Sequence, residues 1–229
     1  MRRIAFIADI HSNLEALEVV LSKIGGEETY CLGDVVGYGA NPNEVIQLLR
    51  KNNVPSITGN HDQAAISGVT SGFNARAGMA AMWTIKQLNE ESLRYLRELP
   101  LERRVEADGV RIYMTHGSPD DPLWEYVDPS THSMVFDHYL GRLEADAIAL
   151  GHTHIPFVWQ NGRRLVFNPG SVGQPRNGDR RASFATLSIE GGVASVEETR
   201  LEYDFERAAA KIREAGLPEQ HASRLFYGI

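Results

Sequence analysis

The stretch RIAFIADIHSNLEALEVVLSKIGGEETYCLGDVVG, residues 3–37, contains one complete strand–helix–strand unit. Residues 3–8 form an apolar run without polar alternation, which is typical of a strand buried on both faces. Apolar residues then recur at helical spacing over 14–24, and two glycines end that helix. A second apolar run at 29–32 predicts another strand, and polar residues follow both strands. The stretch therefore predicts a buried sheet with polar side chains at the strand ends.

The rest of the chain continues with strands and helices and ends with hairpins. We expect helices from Asn41-Pro42, over 75–88, 90–98, 131–142 and 204–214, and briefly after Pro218. We expect strands at 54–57, 101–106, 110–115, 146–150, 164–167, 183–189 and 193–198, with hairpin turns at Asp108-Gly109 and Gly191-Gly192 and a loop at 67–73. This order predicts an α/β (α+β) fold with one mixed sheet, or with two sheets packed face to face and helices outside. At 229 residues, a single domain over 1–229 is expected.

The composition is that of an ordinary globular protein. Hydrophobic residues make up 42% and charged residues 23%, which predicts a packed core. The balance of 23 Lys and Arg against 30 Asp and Glu gives a net charge of -7, so a long nucleic acid is not an expected partner. No apolar run approaches the roughly 20 residues of a membrane helix, so no membrane partner is expected. Cys31 is the only cysteine, which excludes an intrachain disulfide, favours a cytoplasmic location and predicts a small buried side chain.

Five short polar clusters each follow an apolar, strand-like run. They are Asp9-Ile10-His11, Gly33-Asp34, Gly59-Asn60-His61-Asp62, His116-Gly117 and Gly151-His152-Thr153-His154. Because functional groups in such folds gather beyond the carboxyl ends of the strands, we expect the clusters to meet. Together they offer two carboxylates, one amide and four imidazoles as metal ligands, with His61 left over. This set predicts two bound metal ions and hydrolysis of a phosphate ester.

Spacing and donor type indicate the kind of metal site. The ligands in Asp9-x-His11 and in His152-x-His154 are two residues apart, and in extended backbone that spacing directs both side chains to one side. The set has oxygen and imidazole donors and no thiolate, which favours manganese, iron, zinc or nickel in an open catalytic site. Asp34 stands alone at its strand end, and one carboxylate can hold two cations roughly 3.5–4 Å apart, so Asp34 is the expected bridge.

Each cluster also has an explanation without a metal. A single aspartate or histidine at a strand end is usually a cap, a turn former or a solvated side chain, and the glycines serve equally well in turns. The presence of five clusters with complementary ligand types favours the metal site over these separate explanations. His132, His138 and His221 lie in helical, charged surroundings, so we expect them at the surface.

The order of these motifs resembles the calcineurin-like metallophosphoesterase superfamily. The resemblance spans residues 9 to 154 and rests on Asp9-x-His11, Gly33-Asp34-x-x-Gly37, Gly59-Asn60-His61-Asp62, His116-Gly117 and Gly151-His152-x-His154. Two further segments, 33–42 and 168–176, resemble the small prokaryotic phosphodiesterase branch, some members of which are similar to diadenosine tetraphosphate hydrolases. The resemblance implies a four-layer fold in which two mixed sheets pack face to face with helices on the outside.

The resemblance also implies a role for each matching residue. One metal ion takes Asp9, His11 and His154, the other takes Asn60, His116 and His152, and Asp34 bridges them. In the implied mechanism a hydroxide between the two metals attacks phosphorus in line, and His61 acts as general acid or stabilises developing charge. Asp62 either orients the His61 imidazole or caps a helix.

The substrate is less sharply defined than the reaction. We expect a small nucleotide-like phosphodiester or phosphoanhydride, contacted by Asn60, His61, Tyr38 and Arg176. Tyr38 either stacks on a base or packs at the rim of the site. Arg176 either pairs with a phosphate or forms a surface salt bridge. Trp124 and Tyr126 either form a pocket wall or anchor the core.

Two other functions are compatible with the same fold. A non-catalytic metal-binding interaction scaffold is one, but the complete ligand set and His61 argue against it. A protein phosphatase is the other, but the compact chain offers no obvious docking domain. The last short helix either shapes the pocket or forms a contact in a homodimer, and the sequence leaves both alternatives open.

Overall fold

The computed structural model describes all residues from Met1 to Ile229. The strands are β1 (Arg2–Ile7), β2 (Glu28–Cys31), β3 (Glu102–Ala107), β4 (Val110–Thr115), β5 (Ala147–Ala149), β6 (Phe157–Asn161), β7 (Arg164–Asn168), β8 (Ala182–Glu190) and β9 (Val193–Leu201). The helices are α1 (Leu14–Ile24), α2 (Pro42–Lys51), α3 (Asn60–Ser67), α4 (Ala75–Gln87), α5 (Glu90–Arg97), α6 (Ser133–Leu143), α7 (Phe205–Glu214) and α8 (Glu219–Arg224). None of the helices combines the length and the apolar character that crossing a membrane requires.

The strands form two mixed sheets. The first sheet has the order β2-β1-β8-β9, in which β1 runs parallel to β2 and antiparallel to β8. The second has the order β3-β4-β5-β7-β6, with a parallel centre and an antiparallel strand at each edge. The hairpins β3–β4 and β8–β9 turn at the predicted pairs Asp108-Gly109 and Gly191-Gly192.

The two sheets pack face to face through an apolar layer. Phe6 of β1 and Phe167 of β7 meet edge to face across this layer, with ring centroids 5.1 Å apart. Helices α1, α2, α7 and α8 cover the outer face of the first sheet. Helix α6 covers the outer face of the second sheet through Phe136 and Leu140. The predicted arrangement of two mixed sheets between helices is therefore confirmed.

The position of β1 between these layers explains its apolar sequence. Ile4 and Phe6 point into the layer between the sheets, whereas Ala5 and Ile7 point toward the helices. All four side chains are fully buried. A strand with a buried side on both faces needs apolar residues at every position, which is why β1 shows no alternation.

The structure differs from the predicted elements in three places. Residues 54–57 form no strand: Pro55 has no N–H to donate, and contact with β2 is a single bridge between Cys31 and Ser56. Cys31 itself is buried, as predicted. Strand β6 was not predicted because it is an edge strand with half-buried and exposed residues. Helix α3 was not predicted because its first turn consists of buried polar residues instead of an apolar stripe.

The segment after β7 packs closely against the loop after β1. The backbone N–H of Gly173 donates to the Asp9 carbonyl at 3.0 Å, and the Asn13 side chain donates to the Gly173 carbonyl at 2.9 Å. A Cβ atom at Gly173 would lie only 1.8 Å from the carbonyl oxygen of Ile10. The two loops therefore touch through their backbones, and this contact positions the residues after β1.

We expect Gly173→Ala to lower the free energy of unfolding by about 3 kcal/mol, the upper end of overpacking costs, because backbone has to move to admit the methyl group. Urea denaturation measures the change. Gly141→Ala is the matched control: Gly141 lies within α6 with open space at its Cβ position, so alanine there is expected to stabilise by about 0.5–1 kcal/mol. Equal stability of the two variants would contradict the close contact at Gly173.

Candidate metal centre

The five polar clusters lie together at one end of the two sheets. Asp9 and His11 follow β1, Asp34 follows β2, His116 follows β4, His152 and His154 follow β5, and Asn60 and His61 begin α3. They meet because β1 is parallel to β2 and β4 is parallel to β5, so the strands of each pair end at the same edge. Five of these side chains line a cleft of about 200 Å³: Asp34, Asn60, His61, His152 and His154.

The first group of candidate ligands contains Asp9, His11, Asp34 and His154, all buried. The Nε2 atoms of His11 and His154 are 3.1 Å apart. His11 Nε2 lies 3.5 Å from Asp34 Oδ2, and His154 Nε2 lies 3.4 Å from Asp9 Oδ1. The four ligand atoms all lie within 4.8 Å of one another, a spacing that suits one shared cation.

The second group shares Asp34 with the first and adds His116 and His152. Asp34 Oδ2 lies 3.4 Å from His116 Nε2, so the same oxygen faces both groups. Asn60 contributes an amide oxygen, because its Oδ1 lies 3.2 Å from His116 Nε2. The other oxygen of Asp34, Oδ1, accepts the backbone N–H of His61 at 2.8 Å. The Asp34 carboxylate thus faces both groups of candidate ligands.

Backbone carbonyls determine which nitrogen of each histidine is free. Since a carbonyl oxygen only accepts, the ring nitrogen facing it has to donate its N–H. The Nδ1 atoms of His11, His116 and His154 donate to the carbonyls of Val36, Leu32 and Gln174 at 3.2, 2.8 and 2.5 Å. His152 is the exception, because its Nε2 donates to the Trp124 carbonyl at 3.2 Å. Three histidines therefore offer Nε2 to a metal, and His152 offers Nδ1.

Five of the seven candidate ligands, including both pairs with two-residue spacing, have left-handed backbone and not the extended backbone that this spacing predicts. Their φ angles are 53° at Asp9, 48° at His11, 53° at Asp34, 69° at His152 and 60° at His154. The prediction that extended backbone directs each pair is wrong, because the chain turns sharply as it leaves each strand. A left-handed residue other than glycine costs roughly 1–2 kcal/mol. Strain of this kind gathers at functional sites, where the surrounding structure imposes it.

The first group has a charge arrangement that fits a cation. Both carboxylate oxygens of Asp9 are buried without a hydrogen-bond partner, and burial raises the pKa of Asp9 to about 8. Burial also holds the pKa of His11 and of His154 well below the usual range, so both rings are neutral. A buried carboxylate without a partner is costly, and a divalent cation would satisfy it together with both imidazoles. The residues of this group therefore fit a metal ion.

The second group contains a buried ion pair when no metal is bound. Burial alone would lower the pKa of His116, but the Asp34 carboxylate raises it to about 9. Burial alone would raise the pKa of Asp34, but His116 holds it well below its usual range. A metal ion that binds His116 has to displace this proton, because only the neutral imidazole is a ligand.

His61 lines the cleft but belongs to neither group of ligands. Its ring packs against Tyr38 and Phe73, with centroids 4.4 and 4.5 Å away, and burial lowers its pKa to about 4. The carboxylate of Asp62 accepts the backbone N–H groups of Gly59, Val35 and Val36. Of the two alternatives for Asp62, the structure therefore supports the cap at the start of α3, and Asp62 makes no hydrogen bond to the His61 ring.

One wall of the cleft is aromatic. Trp124 and Tyr126 are 40% and 61% exposed, so they form a pocket wall and do not anchor the core. Tyr126 stacks on the His152 ring at 4.3 Å with an angle of 10° between the planes. Phe73, from the loop between α3 and α4, meets Trp124 edge to face at 5.3 Å. The predicted loop at 67–73 thus contributes to the cleft.

The sequence has relatives in a known protein family. It matches the family described as the calcineurin-like phosphoesterase superfamily domain over residues 1–192. The chain belongs to this superfamily. The phosphoesterase is 39% identical to an uncharacterized protein of Methanocaldococcus jannaschii, with 98% of each chain covered. It is 26% identical to the phosphodiesterase YfcE of Escherichia coli, over 82% of this chain and 88% of the relative.

A solved structure gives the same assignment. The metallophosphoesterase of Sphaerobacter thermophilus is similar to this phosphoesterase with a TM-score of 0.82 and 36% identity, over 100% of this chain and 99% of that chain. Membership of the family implies divalent metal ions, and the two groups of ligands described above are where such ions fit. The predicted activity of a metal-dependent phosphoesterase is thereby confirmed.

Arg176 and Tyr38 lie side by side in this phosphoesterase. Arg176 lines the cleft, and its Nη2 donates to the Tyr38 hydroxyl at 3.3 Å and to Gln174 Oε1 at 3.1 Å. No carboxylate pairs with Arg176, so the surface salt bridge is the wrong alternative. Tyr38 is 7% exposed and packs between the rings of His61 and His221. Of the two alternatives for Tyr38, this arrangement favours packing at the rim of the site over stacking on a base.

His221 corrects a prediction. His132 and His138 are exposed, as expected, but His221 is only 2% exposed. Its Nε2 donates to the Arg76 carbonyl at 3.2 Å, and its ring lies 4.7 Å from the Tyr38 ring. Helix α8 has only six residues, too few for its sequence to indicate which face is buried. The same helix brings Arg224 into the phosphoesterase cleft, a residue that no motif pointed to.

Proposed function

We propose that residues 1–229 form a single domain that hydrolyses the phosphodiester or phosphoanhydride bond of a small nucleotide-like substrate at a centre of two divalent metal ions. One observation carries the proposal: Oδ2 of Asp34 faces two groups of ligands at once, 3.5 Å from His11 Nε2 and 3.4 Å from His116 Nε2. Oxygen and imidazole donors without a thiolate favour manganese, with iron, zinc or nickel as alternatives.

The ligand atoms divide into two sets in this proposal. Asp9, His11 and His154 hold one ion, Asn60, His116 and His152 hold the other, and Asp34 holds both. When bound, the two ions would supply an activated water near neutral pH and compensate the charge on the phosphate oxygens. The carbonyls of Val36, Leu32 and Gln174 keep three of the rings in the tautomer that the ions require.

His61 is the proposed general acid for the leaving oxygen. It lines the cleft beside Asp34, and its backbone N–H is fixed by Asp34 Oδ1. Burial keeps the ring neutral in the free protein, with a pKa of about 4. A phosphate anion bound against the ring favours the imidazolium form and so raises this pKa toward the range of a general acid. Asn60, next to His61, is proposed to contact the same phosphate.

The cleft supports a small substrate with an aromatic part. Its volume is only about 200 Å³, and the exposed rings of Trp124 and Tyr126 offer surfaces for stacking. The net charge of -7 gives little attraction for a long polyanion. The Escherichia coli relative is named a phosphodiesterase, which agrees with a diester or anhydride substrate.

Metal binding is expected to stabilise the protein as well as to activate it. At a free manganese concentration of 100 times Kd, one site adds about 2.7 kcal/mol to the free energy of unfolding. A chain of this size then unfolds roughly 5–10 °C higher for each filled site. Thermal unfolding with chelator and with added manganese, together with metal analysis, measures the effect.

The same samples test the activity. We expect chelator to abolish hydrolysis and manganese to restore it, on a panel of a bis-aryl phosphate, cyclic nucleotides, dinucleoside polyphosphates and phosphopeptides. Two bound ions without hydrolysis of any compound would favour the interaction scaffold. Faster turnover of phosphopeptides than of nucleotides would favour the protein phosphatase. An unfolding temperature that is the same with chelator and with manganese would contradict the metal centre itself.

A further inference from the structure

Part of the cleft lining is cationic, and we call this part the cationic wall. Arg176 and Arg224 both line the cleft beside the candidate metal ligands. Arg224 also lines an adjoining hollow of about 300 Å³, and Arg76 from α4 lines the same hollow. None of these three arginines makes an ion pair with a carboxylate, whereas Arg181, Arg200 and Arg213 all do. No carboxylate therefore pairs directly with the guanidinium groups of this wall.

Gln174 holds two of the arginines next to each other. Its Oε1 accepts from Arg176 Nη2 at 3.1 Å and faces Arg224 Nη1 at 3.5 Å. The side chain of Gln174 is buried, and its backbone carbonyl accepts the Nδ1–H of His154 at 2.5 Å. One residue thus fixes both guanidinium groups relative to a metal-ligand histidine. The arginine pair is positioned with respect to the centre and is not simply exposed charge.

The arginine pair has donors without acceptors. The Nε atom of Arg176 is buried and has no hydrogen-bond partner. Burial, and next the charge of Arg176, lowers the pKa of Arg224. Two like charges held together around one neutral amide oxygen are unfavourable unless an anion joins them. A phosphate oxygen is the acceptor that two guanidinium groups suit best.

We propose that Arg176 and Arg224, with Arg76 behind them, bind a second phosphate group of the substrate while the scissile phosphate lies at the metal centre. This inference rests on the proposed function and narrows it to nucleotides that contain a phosphoanhydride. A diester with a single phosphate presents its one charge to the metal ions and leaves the arginine pair unmatched. An anhydride presents the next phosphate at the distance of one bridging oxygen.

The reaction with such a substrate is simple hydrolysis. The oxygen of water forms a bond to the scissile phosphorus, and the bond from that phosphorus to the bridging oxygen breaks. The electron pair goes to the departing phosphate, and the two protons of water end on the product phosphates or in the solvent. No other reactant is needed.

The test compares two substrates that differ in the second phosphate. Manganese-loaded full-length protein is assayed with diadenosine triphosphate and with the nitrophenyl ester of adenosine monophosphate. The measured quantity is kcat/KM for diadenosine triphosphate divided by kcat/KM for the nitrophenyl ester. Arg224→Gln is expected to lower this ratio by about 10- to 100-fold, mainly by raising KM for the triphosphate. Arg224→Lys keeps the charge and is expected to lose less. Arg97→Gln, on the exposed end of α5, removes the same charge elsewhere and is expected to leave the ratio unchanged.

A binding measurement separates this inference from the proposed function. Calorimetric titration compares adenosine monophosphate with the methylene analogue of adenosine diphosphate, which is not hydrolysed. Wild-type protein is expected to bind the analogue at least about tenfold more tightly, and Arg224→Gln is expected to lose that preference. A wild-type protein that hydrolyses neither substrate contradicts the proposed function, while the titration still decides the arginine site. An unchanged ratio in Arg224→Gln, or equal binding of the two ligands by wild type, overturns the inference.

Discussion

Asp34→Asn is expected to reduce the rate of hydrolysis by at least about 10³-fold. The bridging carboxylate would hold two metal ions together, and their stabilisation of the charge in the transition state is worth several kcal/mol. Asparagine has nearly the same shape, tolerates the left-handed backbone found at this position, and keeps an oxygen for the His61 N–H. The change therefore keeps the local backbone geometry but removes the bridging charge and, in the metal-free protein, the ion pair with His116. Metal analysis is expected to find at most one ion per chain, and kcat is measured with saturating manganese.

Two comparisons make this result specific. Asp128→Asn changes a carboxylate that belongs to neither ligand group and accepts the backbone N–H of Ser130, so it is expected to keep both ions and full activity. The unfolding temperature of Asp34→Asn in chelator shows whether the metal-free fold is intact. If Asp34→Asn binds two ions and turns over substrate at the wild-type rate, Asp34 is not the bridge.

His61→Ala is expected to keep both metal ions and to lower kcat by about 10²–10⁴-fold, which is the usual contribution of a general acid. The loss should depend on the leaving group. A nitrophenolate departs without a proton, so a nitrophenyl ester is expected to lose much less than an ester of an aliphatic alcohol. Steady-state kinetics with both esters, at a defined manganese occupancy, measures the difference.

The control for His61→Ala is His138→Ala, which removes an exposed histidine from α6. It is expected to change neither ester's turnover. Loss of a metal ion from His61→Ala would show that His61 is a ligand. An equal loss with both esters would show that it does not donate a proton to the leaving group.

Most of the fold follows from local sequence patterns. The apolar run of β1, the helical spacing of α1 and the glycine pairs at the hairpins are short-range signals, and the structure bears them out. The exceptions depend on distant partners. Strand β6 exists because it pairs with β7 at a sheet edge. Helix α3 is stabilised by the buried cap of Asp62, and its sequence has no apolar face to reveal it.

The candidate site also combines features that the local sequence predicts with features that depend on distant parts of the chain. The residues that surround the cleft floor could be named in advance because each follows a recognisable strand. Their left-handed backbone could not, since extended and turned conformations give the same two-residue spacing. The approach of Arg224 to Gln174 joins positions 50 residues apart, and the hydrogen bond of the buried His221 to Arg76 joins positions 145 residues apart. Helix α8 alone has no feature that indicates either contact.

The two oxygens of Asp34 have a consequence for how the site is assembled. One oxygen faces both groups of metal ligands, and the other accepts the backbone N–H of His61. Filling the metal centre therefore fixes the orientation of the carboxylate that anchors His61. By thermodynamic linkage, a ligand at His61 changes the affinity for the metals by the same factor by which the metals change the affinity for that ligand. If the metals strengthen the binding of a non-hydrolysable substrate analogue, the Kd for manganese is expected to fall by the same factor when that analogue occupies the cleft.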